Sequence, residues 1–167
     1  MSCLLPDAPY PLKLSVWYFK DADVVVCPCG GGGVLSGVAA AMKLSGSKAR
    51  IIGVEPTGAP KMFESRKAGH AVSMSSPKTI ATGLAPPFAG KITFEHVQAF
   101  VDDLVLVTDE EIIRAVKMLA KSGLIVEPSG AASFAAVLSG KLGDLSGKKV
   151  VCVASGSNYT AGDLAKL

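Results

Sequence analysis

At 167 residues, 49% hydrophobic and 19% charged, the chain is long enough to bury one sizeable core and too apolar to be a disordered or coiled-coil protein. A net charge of only +3, basic residues scattered apart from Lys148-Lys149, and 6% aromatic content argue against a nucleic-acid groove or a polybasic membrane patch. No apolar run reaches the roughly 20 residues of a spanning helix, and the opening Met1-Ser2-Cys3-Leu4-Leu5-Pro6-Asp7 lacks the basic start and apolar core of a signal peptide, so the cytoplasm is the expected compartment.

Residues 1–20 carry three prolines and no sustained period, which predicts an irregular lead-in with at most a short strand near residues 14–19. One ordered domain is expected over 21–167. It opens on Val24, Val25 and Val26, a continuous β-branched run suited to a strand covered on both faces. Four consecutive glycines, Gly30 to Gly33, follow, then an alanine-rich helical pattern over 34–44 that stops at Gly46, then a second strand over 51–55. This order predicts a βαβ unit with parallel strands and a right-handed crossover. A helix is expected between Gly58 and Gly69, with Pro60 tolerated in its first turn. Residues 70–91 show no clear period, and the segment from Thr79 to Pro87 reads as an ordered loop of the kind that is often functional. A short helix over 93–99 leads to a strand over 104–107. Thr108 and Glu111 have capping-box spacing ahead of a helix whose buried stripe is Ile112, Ile113, Val116, Leu119 and Ala120 and whose end is Gly123. Ser129 is the expected cap of the next helix, which runs through Leu138 to a stop near Gly140. A last strand over 149–154 ends in Ser155-Gly156-Ser157-Asn158. The alternation predicts an α/β fold: a doubly wound, mostly parallel sheet with helices on both faces and ligands at the carboxyl ends of its strands.

The chemistry-bearing residues are few. Cys3, Cys27, Cys29 and Cys152 fall mostly in predicted strands, as reduced buried thiols do, and Cys27-Pro28-Cys29 is too tight for a zinc ribbon. His70 and His96 lie in polar surroundings without a spacing partner and read as surface residues. The methionines read as core filler. Asp102 and Asp103 are adjacent and would point to opposite faces of a strand, so they read as solvated turn residues rather than a catalytic pair.

The glycine run has a direct physical reading. Glycine reaches positive φ without penalty and lets a ligand approach bare backbone, so Gly30 to Gly33 could turn several amides toward one anion, and the helix after them adds its positive end. The bland alternative is a tight strand-to-helix turn with no ligand.

Taken in order, the segments VVVCPCGGGGVLSG, IIGVEP, TIATGL, LVLVTDEEI, LIVEPSGAA and VCVASGSN resemble the C-terminal half of the fold-type II pyridoxal-phosphate enzymes, in particular the serine/threonine dehydratase (ammonia-lyase) and serine racemase branch. The resemblance implies a cofactor site. Gly30, Gly31, Gly32 and Gly33, with the amide of Val34, would hold the pyridoxal 5'-phosphate phosphate group; Gly83 and Glu127 would lie near its ring; Ser155 would hydrogen-bond the pyridine nitrogen, with Asn158 carried along in the same motif. A hydroxyl partner leaves that nitrogen largely unprotonated, which suits β-elimination or racemisation. The implied substrate is serine or threonine, and the implied products are a 2-keto acid and ammonia. A run of four glycines resembles the dehydratases more than the cysteine synthases.

The sequence departs from the family pattern in several places. The family attaches its cofactor through a lysine in a Ser-x-Lys-x-Arg-Gly type motif and grips the substrate carboxylate with a Ser/Asn/Gly-rich loop. Both lie upstream of the glycines, and neither is present here; Lys13 and Lys20 have no such context. Most of the small domain is likewise missing. Without the lysine, which is both nucleophile and base, the chain is expected to bind cofactor weakly and to turn over little or nothing. Ser157 replaces a usual glycine and would be strained if that position needed positive φ. The racemase branch's divalent-cation ligands map to Glu55, Ala59 and Lys61, and an ammonium cannot ligate a hard cation, so no metal is expected. Two other readings stay open. One is a nicotinamide-binding Rossmann domain with Glu55 as the ribose acid, although Gly31-x-Gly33-x-x-Ser36 departs from that fingerprint. The other is a non-catalytic partner that pairs with a second copy or a full-length relative through an apolar sheet edge.

Overall fold

The structure is a computed structural model that describes residues 21–165 and 167. The expected lead-in over 1–20, with its short strand, Cys3, Lys13 and Lys20, lies outside the described residues. The elements run β1 (Val24–Pro28), α1 (Gly33–Leu44), β2 (Arg50–Pro56), α2 (Lys61–Ala68), a 3-10 turn (Thr82–Leu84), α3 (Lys91–Phe100), β3 (Asp103–Val107), α4 (Asp109–Lys121), α5 (Pro128–Leu138), β4 (Val150–Cys152) and α6 (Ala161–Leu164).

The strands form one sheet in the order β3-β2-β1-β4, with every pair parallel. Val24 of β1 sits opposite Arg50 on one side and Val150 on the other, and Ile52 of β2 opposite Asp103. Both faces are covered, which is why the strands read as unbroken apolar runs. Period-two alternation divides them: Val24, Val26, Ile52 and Val54 pack with Ile112, Ala115 and Val116 of α4 and Ala131 to Ala136 of α5. Val25, Cys27 and Ile51 pack on the opposite face with Leu35, Val38 and Met42 of α1, Met62 of α2, and Phe94 and Val97 of α3. The expected doubly wound α/β architecture is therefore what the chain adopts. At the centre α1 comes close to β2, and a Cβ on Gly53 would lie 2.5 Å from Leu35 and from Leu104.

Several local expectations are sharpened or changed. The capping box is complete, with the Glu111 amide donating to Thr108 Oγ1 at 3.2 Å and the Thr108 amide to Glu111 Oε2 at 2.8 Å. Pro60 is the N-cap residue of α2 rather than a member of its first turn, and Gly69 closes that helix at φ 75°. Helix α5 begins two residues earlier than Ser129 implies: Glu127 is the N-cap and Pro128 takes the first helical position, where a missing N–H costs nothing. Ser129 is thus inside the helix, and its hydroxyl accepts from the Gly83 amide at 3.0 Å. Strand β4 stops at Cys152, short of the expected 154, because the chain after the Val153 amide's bond to Val26 O turns against α5, whose Ser133 hydroxyl donates to Val153 O at 3.0 Å.

Asp102 and Asp103 are not free turn carboxylates. Asp102 pairs with Lys43 at 2.9 Å, and Asp103 with Arg50 at 2.9 Å. His70 and His96 are exposed, Met42 and Met62 are core residues, and Met118 is half-exposed on α4 instead of buried. Ser157 carries no strain, since no non-glycine among the described residues has positive φ; Gly156 takes that conformation at 77°. No helix among the described residues is long and apolar enough to cross a membrane.

Candidate functional site

With all strands parallel, the carboxyl ends of β1 and β4 meet on one edge, and the strand order reverses between them, because the chain leaves β1 toward β2 and returns from β3 to the far side of β1. A crevice at such a reversal is where open α/β sheets bind ligands. The Gly30–Gly33 run leaves β1 there, and the Ser155–Asn158 segment leaves β4 there.

The glycines are not equivalent. Gly32 is required by the protein itself: it sits at φ 94°, and a Cβ there would lie 2.6 Å from Met62 and 2.8 Å from Thr93. Gly30 is pressed against the 3-10 turn, where a Cβ on it would lie 3.0 Å from Gly83 O. Gly31 and Gly33 have no such internal reason, since neither has positive φ, a Cβ on Gly31 would make only an ordinary 3.9 Å contact with Pro86, and one on Gly33 would meet nothing within 4 Å. Bare backbone facing open space is what a bound group requires. The first helical bond of α1 is from the Ser36 amide to Gly32 O at 2.8 Å, so the amides of Gly33, Val34 and Leu35 lie ahead of the ladder. No side chain caps them and no acid stands in the first turn, which leaves the positive end of α1 open to an anion. Thr93 fixes the run from behind, donating to Gly31 O at 2.6 Å. Val34 is half-exposed beside it.

The second wall is built by α5. The Ser129 hydroxyl holds the Gly83 amide, and Glu127, partly exposed, has its carboxylate oxygen 3.6 Å from where a Gly83 Cβ would be. The same carboxylate lies against Gly156, whose Cβ would fall 2.5 Å from Glu127 Cδ, and the Glu127 amide donates to Gly156 O at 2.9 Å. A Cβ on Gly130 would fall 1.6 Å from Ser155 O. Contacts therefore run continuously from Gly30 through Gly83, Ser129 and Glu127 to Gly156 and Ser155. Glu127 makes no side-chain cap bond to α5, and its carboxylate lies against Gly83 and Gly156 instead. Ser155 is exposed. Asn158 is exposed too, and no hydrogen bond among the described residues ties it to this group.

Sequence reasoning missed Thr93, Ser129 and Ser133 as supports of this wall. Only Ser129 carried a signal, its place in the EPSG segment, and that signal was ambiguous with a helix cap. The glycine corner, with amides ahead of the α1 ladder and no capping side chain, suits an anionic group such as a phosphate.

The positions that the racemase resemblance assigns to a metal are together, but around an ammonium. Lys61, fully buried, places Nζ 3.1 Å from Glu55 Oε1, 3.3 Å from Ala59 O and 2.9 Å from Leu84 O. Glu55 also accepts from the Met62 and Phe63 amides at 3.0 and 2.8 Å. Burial raises its carboxyl above the usual range, and Lys61 and those two amides pull against that rise. These engagements remove the support for Glu55 as a ribose-binding acid, because it is 1% exposed and points into the protein. No cluster of three His, Cys, Asp or Glu among the described residues could hold a metal. The described cysteines are free; burial pushes Cys27 up to about 12 and Cys152 up to about 11, and burial, reinforced by the Glu55 charge, pushes Cys29 higher. They are thiols filling the core, as expected.

Comparison with known proteins agrees with this fold. An L-threonine ammonia-lyase from Thermotoga maritima is 42% identical over 139 residues, covering 83% of this chain and 34% of that protein. The structure of the processed form of threonine deaminase isoform 2 from Solanum lycopersicum superposes with a TM-score of 0.83 at 36% identity, over 90% of this chain and 44% of that one. Maize serine racemase superposes at 0.82 and 36% identity, over 90% and 47%. The chain thus spans between about a third and a half of the length of these relatives. The family described as pyridoxal-phosphate dependent enzyme matches residues 14–156, and the chain belongs to it.

Proposed function

We propose that this chain is the cofactor-holding part of a serine/threonine dehydratase-type ammonia-lyase, with serine or threonine as the substrate class. One observation carries the reading: the unbroken line of contacts from the glycine corner to Ser155, with Gly33 bare toward open space and Gly31 free of any close contact. In this reading the amides of Gly30 to Val34 bind the phosphate, the Gly83 backbone and Glu127 lie near the ring, and the Ser155 hydroxyl hydrogen-bonds the pyridine nitrogen without protonating it, with Asn158 in the same segment. The bound cofactor supplies an electron sink for loss of the α-proton and β-hydroxyl of an amino acid. The lysine that carries the cofactor and takes that proton in the family has no counterpart motif in this sequence, and Lys61 Nζ is turned into the shell of Glu55, Ala59 and Leu84. The chain alone therefore holds the cofactor non-covalently and turns over little, in a cytoplasmic setting.

The test is pyridoxal-phosphate titration followed by the cofactor's absorbance, on the purified chain and on Gly33→Asp. The new carboxylate would favour the start of α1 while repelling the phosphate, so binding should weaken at least about tenfold with Tm unchanged or raised. Equal affinity in the two proteins, or borohydride fixing the cofactor onto one lysine, would overturn the reading. A second reading rests on β4, whose Val150, Val151 and Cys152 are only half-buried at the sheet margin: pairing there with a second copy or a full-length relative. Size-exclusion chromatography at rising concentration reads it directly, and a monomer throughout would remove self-pairing.

A further inference from the structure

The shell around Lys61 Nζ has the chemistry of a cation site. It consists of one carboxylate oxygen and two backbone carbonyl oxygens, all from buried or nearly buried residues, converging at 2.9 to 3.3 Å. An ammonium has three N–H donors, and three acceptors meet them, leaving no buried side-chain polar atom unsatisfied among the described residues. The oxygens come from three separate pieces of the fold: Glu55 from the end of β2, Ala59 from the turn before α2, and Leu84 from the 3-10 turn. Leu84 follows Gly83, whose carbonyl presses on Gly30.

We infer that Lys61 is a tethered cation: its ammonium fills a position that a free metal ion would otherwise occupy, and fastens the 3-10 turn beside the glycine corner to the end of β2 with no metal required. Charge favours this occupant. The shell holds one formal negative charge, so an ammonium leaves it neutral, whereas a divalent ion would leave a buried net charge of about +1. Covalent attachment also makes the occupant independent of ion concentration, because the chain delivers it at fixed geometry on every folding event. Lys61 is a positioning residue and touches no reacting group. The inference does not rest on the proposed activity, and its test needs no cofactor.

Three proteins decide it: the wild-type chain, Lys61→Asp, and Lys61→Ala. Thermal unfolding is followed in EDTA and in millimolar magnesium, calcium or manganese at constant ionic strength. The wild-type Tm should be the same in all of them. In Lys61→Asp a second carboxylate joins Glu55 and the two carbonyls, so Tm in EDTA should fall, and divalent ions should raise it by about 5 °C or more. A variant that is unfolded in EDTA and folds on adding metal gives the same answer. Lys61→Ala leaves the pocket without its tether, and ethylammonium should raise its Tm more than tetramethylammonium at the same concentration, which cannot enter. A role of Lys61 as mere filler would produce neither response. A metal-dependent shift in the wild-type protein, or an absence of both responses in the variants, would overturn the inference.

Discussion

A single methyl group separates a tolerated glycine substitution from a ruinous one at this crevice. At Gly33 an added Cβ meets nothing within 4 Å, whereas at Gly130 it would fall 1.6 Å from the carbonyl oxygen of Ser155, an atom of backbone that has no rotamer to escape into. Gly130→Ala must therefore push the chain leaving β4 away from α5. It is expected to cost on the order of 3 kcal/mol and to lower the urea midpoint accordingly, while Gly33→Ala leaves it unchanged. The same reasoning explains Gly83, whose Cβ would fall 2.9 Å from Ser129 Oγ, and Gly156, whose Cβ would fall 2.5 Å from Glu127 Cδ. The glycines at this edge answer to two different demands, some to close packing within the protein and some to clearance for what binds there.

Helices are fixed at their ends by unlike means. Helix α4 has a reciprocal capping box between Thr108 and Glu111 and three acids in its first turn, so its start is stabilised from within its own sequence. Thr108→Ala should cost about 1 kcal/mol, measurable as a shift in urea midpoint. Helix α2 is capped from a distance: the Glu55 carboxylate reaches from β2 to the Met62 and Phe63 amides. Helix α1 has no side-chain cap at all. Its first turn faces the crevice, and a helix start with neither a side-chain cap nor a first-turn acid there is the arrangement an anion-binding end needs.

Over the whole molecule the charges are divided between the two edges of the sheet. At the amino ends of the strands, Asp102 accepts from the Ile51 amide and pairs with Lys43, Asp103 pairs with Arg50, and Asp23 accepts from the Lys149 amide. These close one edge and leave the carboxyl edge for ligand. Partial burial works to raise the Asp102 carboxyl, but the Ile51 amide, Lys43 and Arg50 outweigh it and hold its pKa below the ordinary 3.8. A depressed folded pKa means that its contribution to stability is present above pH 3.8 and lost as pH falls through the lower folded value. Asp102→Asn should therefore flatten the fall of Tm with pH below that point, and a slope equal to that of the wild-type chain would refute the assignment.

Read without coordinates, the chain already determines its periodicities, its punctuation and its family: the valine run, the glycine run, the Thr108–Glu111 box and the ordered motifs all depend on residues near one another, and local sterics and helix geometry decide them. The doubly wound order and the meeting of the glycine corner with Ser155 follow from the same alternation. What only the tertiary structure decides is partnership across distant segments. Ser129 reads locally as a cap and instead holds Gly83, because Pro128 takes the first helical position and α5 lies under the 3-10 turn. Lys61 reads locally as a broken metal ligand and becomes a satisfied cation, because a carbonyl from Leu84, on another loop, arrives to complete its shell. Such contacts are set by register and packing between elements, and no local pattern encodes which acceptor a buried donor will meet.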